Sequence, residues 1–175
     1  MGPVNLDDIP GGSLCVIDTN VLLYAEQGVS AQAQRLLRRC ARGELSAILP
    51  QTVWQGLTHK LMLAEAMTKR LIAGGNPAGR LAAKPDAIRG LSLHRAKVQA
   101  LVDLGIGFES CTLTDLTKTA FGLQEKYGLL TNDAMVLAVT IRLKADALVS
   151  GDKAFHEVTE VAVHAPTDLR VVWPQ

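Results

Sequence analysis

Asp18, Asp133 and Asp152 each stand where an apolar element begins or ends. Asp18 closes the run Leu14-Cys-Val-Ile, Asp152 follows Ala147-Leu-Val-Ser-Gly, and Asp133 opens a helical stretch after Thr131-Asn132. In an open parallel sheet, ligands bind outside the carboxyl ends of the strands, near the reversal of strand order. If the strands ending at Asp18 and near Asp152 are neighbours, their carboxylates meet there, and Asp133 reaches them from a helix start. Two such charges about 4 Å apart repel by roughly 4 kcal/mol at an effective dielectric near 20, so the cluster calls for a cation. Oxygen donors without histidine or thiolate partners suit Mg²⁺ or Mn²⁺. Singly, each acid has a plainer reading: Asp18 as a helix cap, Asp133 as a partner of a helix dipole, Asp152 as a turn residue after Gly151. Convergence of all three points to a site.

Other chemistries lack their residues. Gly74 and Gly79 have phosphate-loop spacing, but Arg80-Leu81 stands where Lys-Ser/Thr is needed. Gly105-Ile-Gly107 lacks the third glycine of a dinucleotide fingerprint, whose place Ser110 takes. His59, His94, His156 and His164 show no metal-ligand spacing, and no G-x-S-x-G elbow is present. Asp18-Thr-Asn20 lacks the second acid of an aspartate-dependent phosphatase.

The chain must supply the strands and helices that hold these acids. Short apolar runs predict strands at 14–18, 47–49, 108–113 and 147–150, with a fifth at 161–163 or 170–173. Between them, periodicity predicts helices near 21–25, from Ser30 to Arg42, from Thr52 onward, from Pro85 to Leu104, from Thr114 to Tyr127, and one capped by Thr131. The segment 74–79 reads as an interruption. Strands alternating with helices argue for a mostly parallel sheet covered on both faces. The 175 residues, 48% apolar and 20% charged, suit one domain with a sizeable core and exclude a disordered segment. No apolar run reaches the roughly 18–20 residues of a membrane span, and MGPVNLDDIPGG lacks the basic and apolar regions of a signal peptide. Cys15, Cys40 and Cys111 form no C-x-x-C pair and read as reduced thiols, so the expected location is the cytoplasm, with no membrane partner. The net charge of +1 conceals a division: residues 1–58 carry −1, residues 59–98 carry +6 and residues 99–175 carry −4. That basic middle suits a polyanion-facing surface or a solvated helical face.

At the three acids the sequence resembles the PIN domain family, especially the VapC-like ribonucleases of type II toxin–antitoxin pairs. Val16-Ile-Asp18-Thr-Asn-Val-Leu-Leu-Tyr24-Ala is similar to the family's opening strand and first acid. Thr131-Asn-Asp133-Ala-Met-Val-Leu-Ala resembles its third-acid helix, and Ala147-Leu-Val-Ser-Gly-Asp152-Lys-Ala-Phe155 its closing strand and fourth acidic position. The resemblance spans residues 14–165. It implies a three-layer α/β/α sandwich with a mostly parallel central sheet, formed by a single domain over 1–175 with an enlarged basic helical region at about 59–104. It also implies metal-dependent endonucleolytic cleavage of RNA. Asp18 and Asp133 would bind Mg²⁺ (or Mn²⁺) directly, and Asp152 would complete the acidic pocket, directly or through water. Asn20 and Ser150 would support the site by hydrogen bonding, and Lys60, Lys69 and Arg70 of the basic stretch would hold the RNA backbone. The implied protein partners are a cognate antitoxin and a second copy of the chain.

One departure stands out. The family's second acid, commonly glutamate, lies in the helix after the second strand, and here Gln55 is expected at its place. Glutamine brings no negative charge, and Glu65 is nearly three helical turns further on. Two classes of function follow: a metal-dependent ribonuclease, or a non-catalytic PIN-like module that binds RNA or protein after losing its second acid.

Overall fold

A computed structural model of the chain describes residues 4–170. In chain order the elements are β1 (Val4–Asn5), β2 (Leu14–Ile17), α1 (Thr19–Glu26), α2 (Ala31–Ala41), β3 (Ser46–Pro50), α3 (Gln51–Thr68), α4 (Pro77–Ala82), α5 (Pro85–Arg89), α6 (Leu93–Asp103) and β4 (Gly107–Glu109). A π-helical segment (Asp115–Ala120) then runs into α7 (Phe121–Tyr127), followed by α8 (Thr131–Arg142), β5 (Ala147–Val149) and β6 (Ala162–Ala165). The six strands form one sheet in the order β1-β6-β5-β2-β3-β4, and every pair is parallel.

The chain steps from β2 to β3 to β4 in one direction, then returns past β2 to β5 and β6. Right-handed crossovers therefore put the helices of the outward and return paths on opposite faces, giving the α/β/α sandwich. The strands nearest the reversal are covered on both sides: Val16, Ile17, Leu148 and Val149 are fully buried. Helix α8 is itself core, with Ala134 through Thr140 buried, so its apolar residues run around most of its circumference. Helix α2 is the amphipathic contrast. Ser30 caps it by accepting from the Ala33 N–H at 3.0 Å, and Ala33, Leu36 and Cys40 face inward.

A second, smaller apolar cluster, Ala66, Ile72, Leu81 and Leu91, lies where α3 ends against α4 and α5. Beside it, Glu65 is buried and accepts from the Ser92 and His94 backbone N–H groups at 3.0 and 2.9 Å. It also meets Lys69 Nζ at 2.7 Å and His94 Nδ1 at 3.0 Å. An ionised carboxylate only accepts, so His94 Nδ1 carries the proton. Burial would raise the Glu65 carboxyl, but these donors overcome that and hold it well below its usual range. Glu65 thus satisfies N–H groups at the start of α6.

Several local expectations change. The helix expected over 85–104 is two, because Gly90 ends α5 and the fully buried Leu91 must turn into the second cluster. The segment 74–79 contains the start of α4: Asn76 Oδ1 accepts from the Gly79 N–H at 3.1 Å and Pro77 opens the helix. The third strand is only Gly107–Glu109, an edge strand. It ends before Thr112 and Asp115, which exchange side-chain-to-backbone hydrogen bonds at 2.8 and 3.0 Å and turn the chain into helix. Thr131 is the first residue of α8, and Leu130 holds the cap position without a side-chain bond. The fifth strand is Ala162–Ala165; the alternative at 170–173 falls, beyond Arg170, outside the described residues. Strand β1, with only two residues on β6, carried no periodic signal.

Glu65→Gln removes the charge shared by two backbone donors, Lys69 and His94. The expected loss is about 2–3 kcal/mol at pH 7 in urea unfolding. Since folding lowers this carboxyl's pKa, its contribution is present above the unfolded value and fades as pH falls through the acid range. The gap between wild type and variant should therefore narrow on acidification; a constant gap would show that the charge is not what holds α6.

Candidate functional site

Strand β2 pairs with β5 in the register Cys15↔Ala147, Val16↔Leu148 and Ile17↔Val149. The next residues along, Asp18 and Ser150, therefore emerge side by side at the carboxyl edge, where strand order reverses. The Asp18 N–H still donates to Val149 O at 2.9 Å, which prolongs the ladder by one residue. The Asp18 side chain is almost fully engaged. Its Oδ1 accepts from the Thr19 N–H at 2.6 Å, and its Oδ2 accepts from Ser150 Oγ at 2.7 Å and Asn20 Nδ2 at 2.8 Å. Asn20 Nδ2 also lies 3.3 Å from Ser150 Oγ, and Asn20 Oδ1 accepts from the Gly151 N–H at 3.0 Å. The expected supporting pair, Asn20 and Ser150, is thus in direct contact with Asp18.

Asp152 is held by its own turn. Its N–H donates to Ser150 Oγ at 3.1 Å, and its Oδ1 accepts from the Ala154 N–H at 2.9 Å. Gly151, between the two, has no room for a side chain: an added Cβ would lie 2.9 Å from Tyr24 Cε2. Asp133 sits in the first turn of α8, where the helix dipole favours an anion. It makes no hydrogen bond or ion pair among the described residues. All three carboxylates line one cavity of about 170 Å³, with Thr19, Asn20, Thr52, Val53, Gly56, Lys60, Asn132 and Val136. Thr52 Oγ1 and Asn132 Oδ1, 3.2 Å apart, tie α3 to the start of α8 at its rim.

The electrostatics follow this geometry. Burial raises the Asp18 carboxyl, against the hydrogen bonds from Ser150 and Thr19, and Asp152 raises it further. Asp133 is pushed up to about 6, first by burial and then by the Asp18 and Asp152 charges, with Lys60 opposing. An added cation would lower it. Among the described residues, no three His, Cys, Asp or Glu side chains are close enough to cage an ion by themselves. Mg²⁺ does not require a cage, since it commonly keeps several waters and takes one or two carboxylates. The donor set fits a partly hydrated Mg²⁺ or Mn²⁺.

The profile of the PIN domain matches residues 15–161. The chain belongs to the PIN domain family. The fold recurs in VapBC2 from Rickettsia felis bound to a DNA fragment from its promoter, at 14% identity and a TM-score of 0.57, covering 87% of this chain and 98% of that one. It recurs in a toxin–antitoxin complex from Klebsiella pneumoniae, at 15% identity and a TM-score of 0.54, covering 84% and 94%. A third example is VapC20 of Mycobacterium tuberculosis, a Sarcin-Ricin loop cleaving toxin, at 14% identity and a TM-score of 0.50, covering 85% and 98%. No curated protein sequence matches the chain.

With the PIN frame in place, the second-acid position requires correction. Gln55 does not line the acidic cavity: it is exposed and lines an apolar groove with Trp54, Thr58, His59, Met62, Val98 and Phe108. The α3 residues facing the acids are Thr52, Gly56 and Lys60, spaced four apart. Gly56, not Gln55, lines the cavity with Asp18, and the nearest atom to a Cβ added there is Thr19 Oγ1 at 3.7 Å. Helix geometry explains the error. Buried Val53 marks the inner face, and Gln55, two residues on, is turned about 200° away, while Gly56 returns to within about 60°. Of the expected basic contacts, Lys60 lines the cavity, whereas Lys69 is bound to Glu65 and neither it nor Arg70 reaches the acids.

The raised Asp133 carboxyl has a measurable consequence. Between about pH 4 and 6 the folded chain holds this proton more firmly than the unfolded chain, so stability falls as pH rises through that window and stays lowered above it. In EDTA at pH 7.5, Asp133→Asn should be more stable by about 1 kcal/mol, or roughly 2–4 °C in Tm. That gain should vanish by about pH 4. Equal melting curves at both pH values would mean that burial and the neighbouring charges do not destabilise the ionised Asp133.

Proposed function

We propose that this protein is a divalent-metal-dependent endoribonuclease, a single PIN-like unit acting in the cytoplasm as the toxin of a toxin–antitoxin pair. The observation that carries the reading is the Asp133 carboxyl, without a partner among the described residues, turned toward Asp18 and Asp152 across one cavity at the strand-order reversal. Family membership supports it, as do three structural neighbours, two of them toxin–antitoxin complexes and one a cleaving toxin. Three free cysteines fit a reducing compartment.

In this reading Asp18 and Asp133 would hold Mg²⁺ or Mn²⁺ directly, and Asp152 would complete the acidic pocket, directly or through water. The ion, when bound, stabilises charge on the phosphoryl oxygens and makes water nucleophilic at neutral pH. Asn20 and Ser150 fix the Asp18 carboxylate by occupying Oδ2, and Thr19 takes one site on Oδ1, so the remaining Oδ1 lone pair is held in a set direction. Lys60, at the cavity rim, meets the RNA backbone, and binding through such contacts weakens as salt rises. The protein partners are a cognate antitoxin and a second copy of the chain.

The test is cleavage of a mixed RNA panel by purified protein in Mg²⁺, Mn²⁺ or EDTA, beside Asp18→Asn. Cleavage should require the metal and fall by more than about a hundredfold in the variant. Equal cleavage by wild type and variant would dismiss Asp18 from the chemistry. RNA bound but left intact by the folded wild type would replace the nuclease with a binding module.

A further inference from the structure

Helix α3 presents Thr52, Val53, Gly56 and Lys60 to the acidic cavity, and among the described residues Lys60 is the one basic side chain lining it. Gly56 lines the cavity on the same helical face, and a Cβ added there meets only Thr19 Oγ1, at 3.7 Å. The chain therefore departs from an all-acidic arrangement twice on one helical face. A carboxylate is missing at 56, and an ammonium is present one turn later.

Lys60 also differs from other lysines of the basic region. Lys69 is tied to Glu65 at 2.7 Å, Lys84 donates to Leu71 O at 2.6 Å, and Lys97 pairs with Glu26. Lys60 is exposed and makes no hydrogen bond or ion pair among the described residues. It nevertheless shares the cavity with the Asp18, Asp133 and Asp152 side chains, without an ion pair to any of them among the described residues. A flexible four-carbon stem with a compact, well-hydrated charge can shift between carboxylates and a phosphate without rearranging the backbone.

We infer that Lys60 is a resident cation of the acidic cavity, competing with divalent metal for the carboxylates, limiting the site to one ion, and moving onto a substrate phosphate when that ion enters. This rests on the metal-nuclease reading. The competition follows from charge: three carboxylates and one ammonium attract a second divalent ion far less than four carboxylates would. The ammonium instead neutralises part of the phosphate charge that a second metal would otherwise meet.

The experiment is calorimetric titration of the full chain with Mn²⁺ alone, for wild type, Lys60→Met, Lys60→Arg, Gly56→Glu and Gln55→Glu, together with binding of a labelled single-stranded RNA in Ca²⁺. Wild type should bind one Mn²⁺. Lys60→Met should bind it roughly five- to tenfold more tightly, the effect of removing one like charge across water, while binding RNA several-fold more weakly. Opposite signs in the two titrations separate this role from a structural one, which would weaken both. Lys60→Arg should restore wild-type values, Gly56→Glu should tighten Mn²⁺, and Gln55→Glu, on the outer face, should change nothing. Unchanged or weaker Mn²⁺ binding by Lys60→Met would overturn the inference. Mn²⁺ binding by Lys60→Met but not by wild type would overturn the metal-nuclease reading and, with it, the one-ion site, whereas one Mn²⁺ bound equally by both would overturn the inference alone. No Mn²⁺ binding by either would overturn both.

Discussion

The register of β2 on β5 is the constraint from which the site follows. Pairing Ile17 with Val149 leaves Asp18 and Ser150 as the first residues beyond two adjacent parallel strands. The interstrand spacing then brings Ser150 Oγ to 2.7 Å from Asp18 Oδ2 without any long side chain having to reach. A shift of one residue in that pairing would turn Asp18 to the other face of the sheet, away from Asn20 and Ser150. Full burial of Val16, Ile17, Leu148 and Val149 protects the register, because such a slip would disrupt packing on both faces.

The same arrangement gathers charge at the sheet edge, where Asp18 is buried, Asp133 half-buried and Asp152 exposed, and each carboxylate is stabilised by different means. Asp18 is surrounded by donors from Thr19, Asn20 and Ser150. Asp152 is shared with the turn it caps. Asp133 has only the helix dipole and the distant pull of Lys60, which is why its carboxyl is the one pushed up to about 6. It cannot relax by moving outward: the seven residues after it are buried, so the core fixes the helix start and with it the carboxyl. Stability from packing thus holds an electrostatically unfavourable group in position, and an added cation would relieve it.

What was legible in the sequence was whatever depends on local pattern. The run ending at Asp18, the Ser30 cap, the long helix after Pro50 and the convergence of three acids all follow from periodicity, capping and parallel-sheet topology. What was not legible depends on tertiary choice. The break at Gly90 arises because Leu91 is drawn into a cluster built by residues from α3 and α4, which no local window contains. Strand β1 exists only because β6 offers an edge. Gly56 is a different case, since its signal was present. The stripe Val53, Leu57 and Leu61 defines the buried side of α3, and stepping round the helix from it excludes Gln55 and selects Gly56. A missing side chain attracts less notice than a glutamine standing near an expected glutamate.

Helix α3 has two tasks at its two ends, and they explain the charge distribution along the chain. Its first turns face the acids through Thr52, Gly56 and Lys60; its last turns bury Glu65, which organises the start of α6. Glu65 is unavailable to the site because its lone pairs already serve two backbone donors, Lys69 and His94. For the same reason, the excess of +6 over residues 59–98 overstates what is free to meet a polyanion. Lys69 neutralises Glu65, Arg89 pairs with Asp86, Lys97 pairs with Glu26, and Lys84 and Arg95 are turned to backbone carbonyls. Much of the basic character stabilises the helical excursion itself, and among the described residues Lys60 is the lysine that lines the acidic cavity.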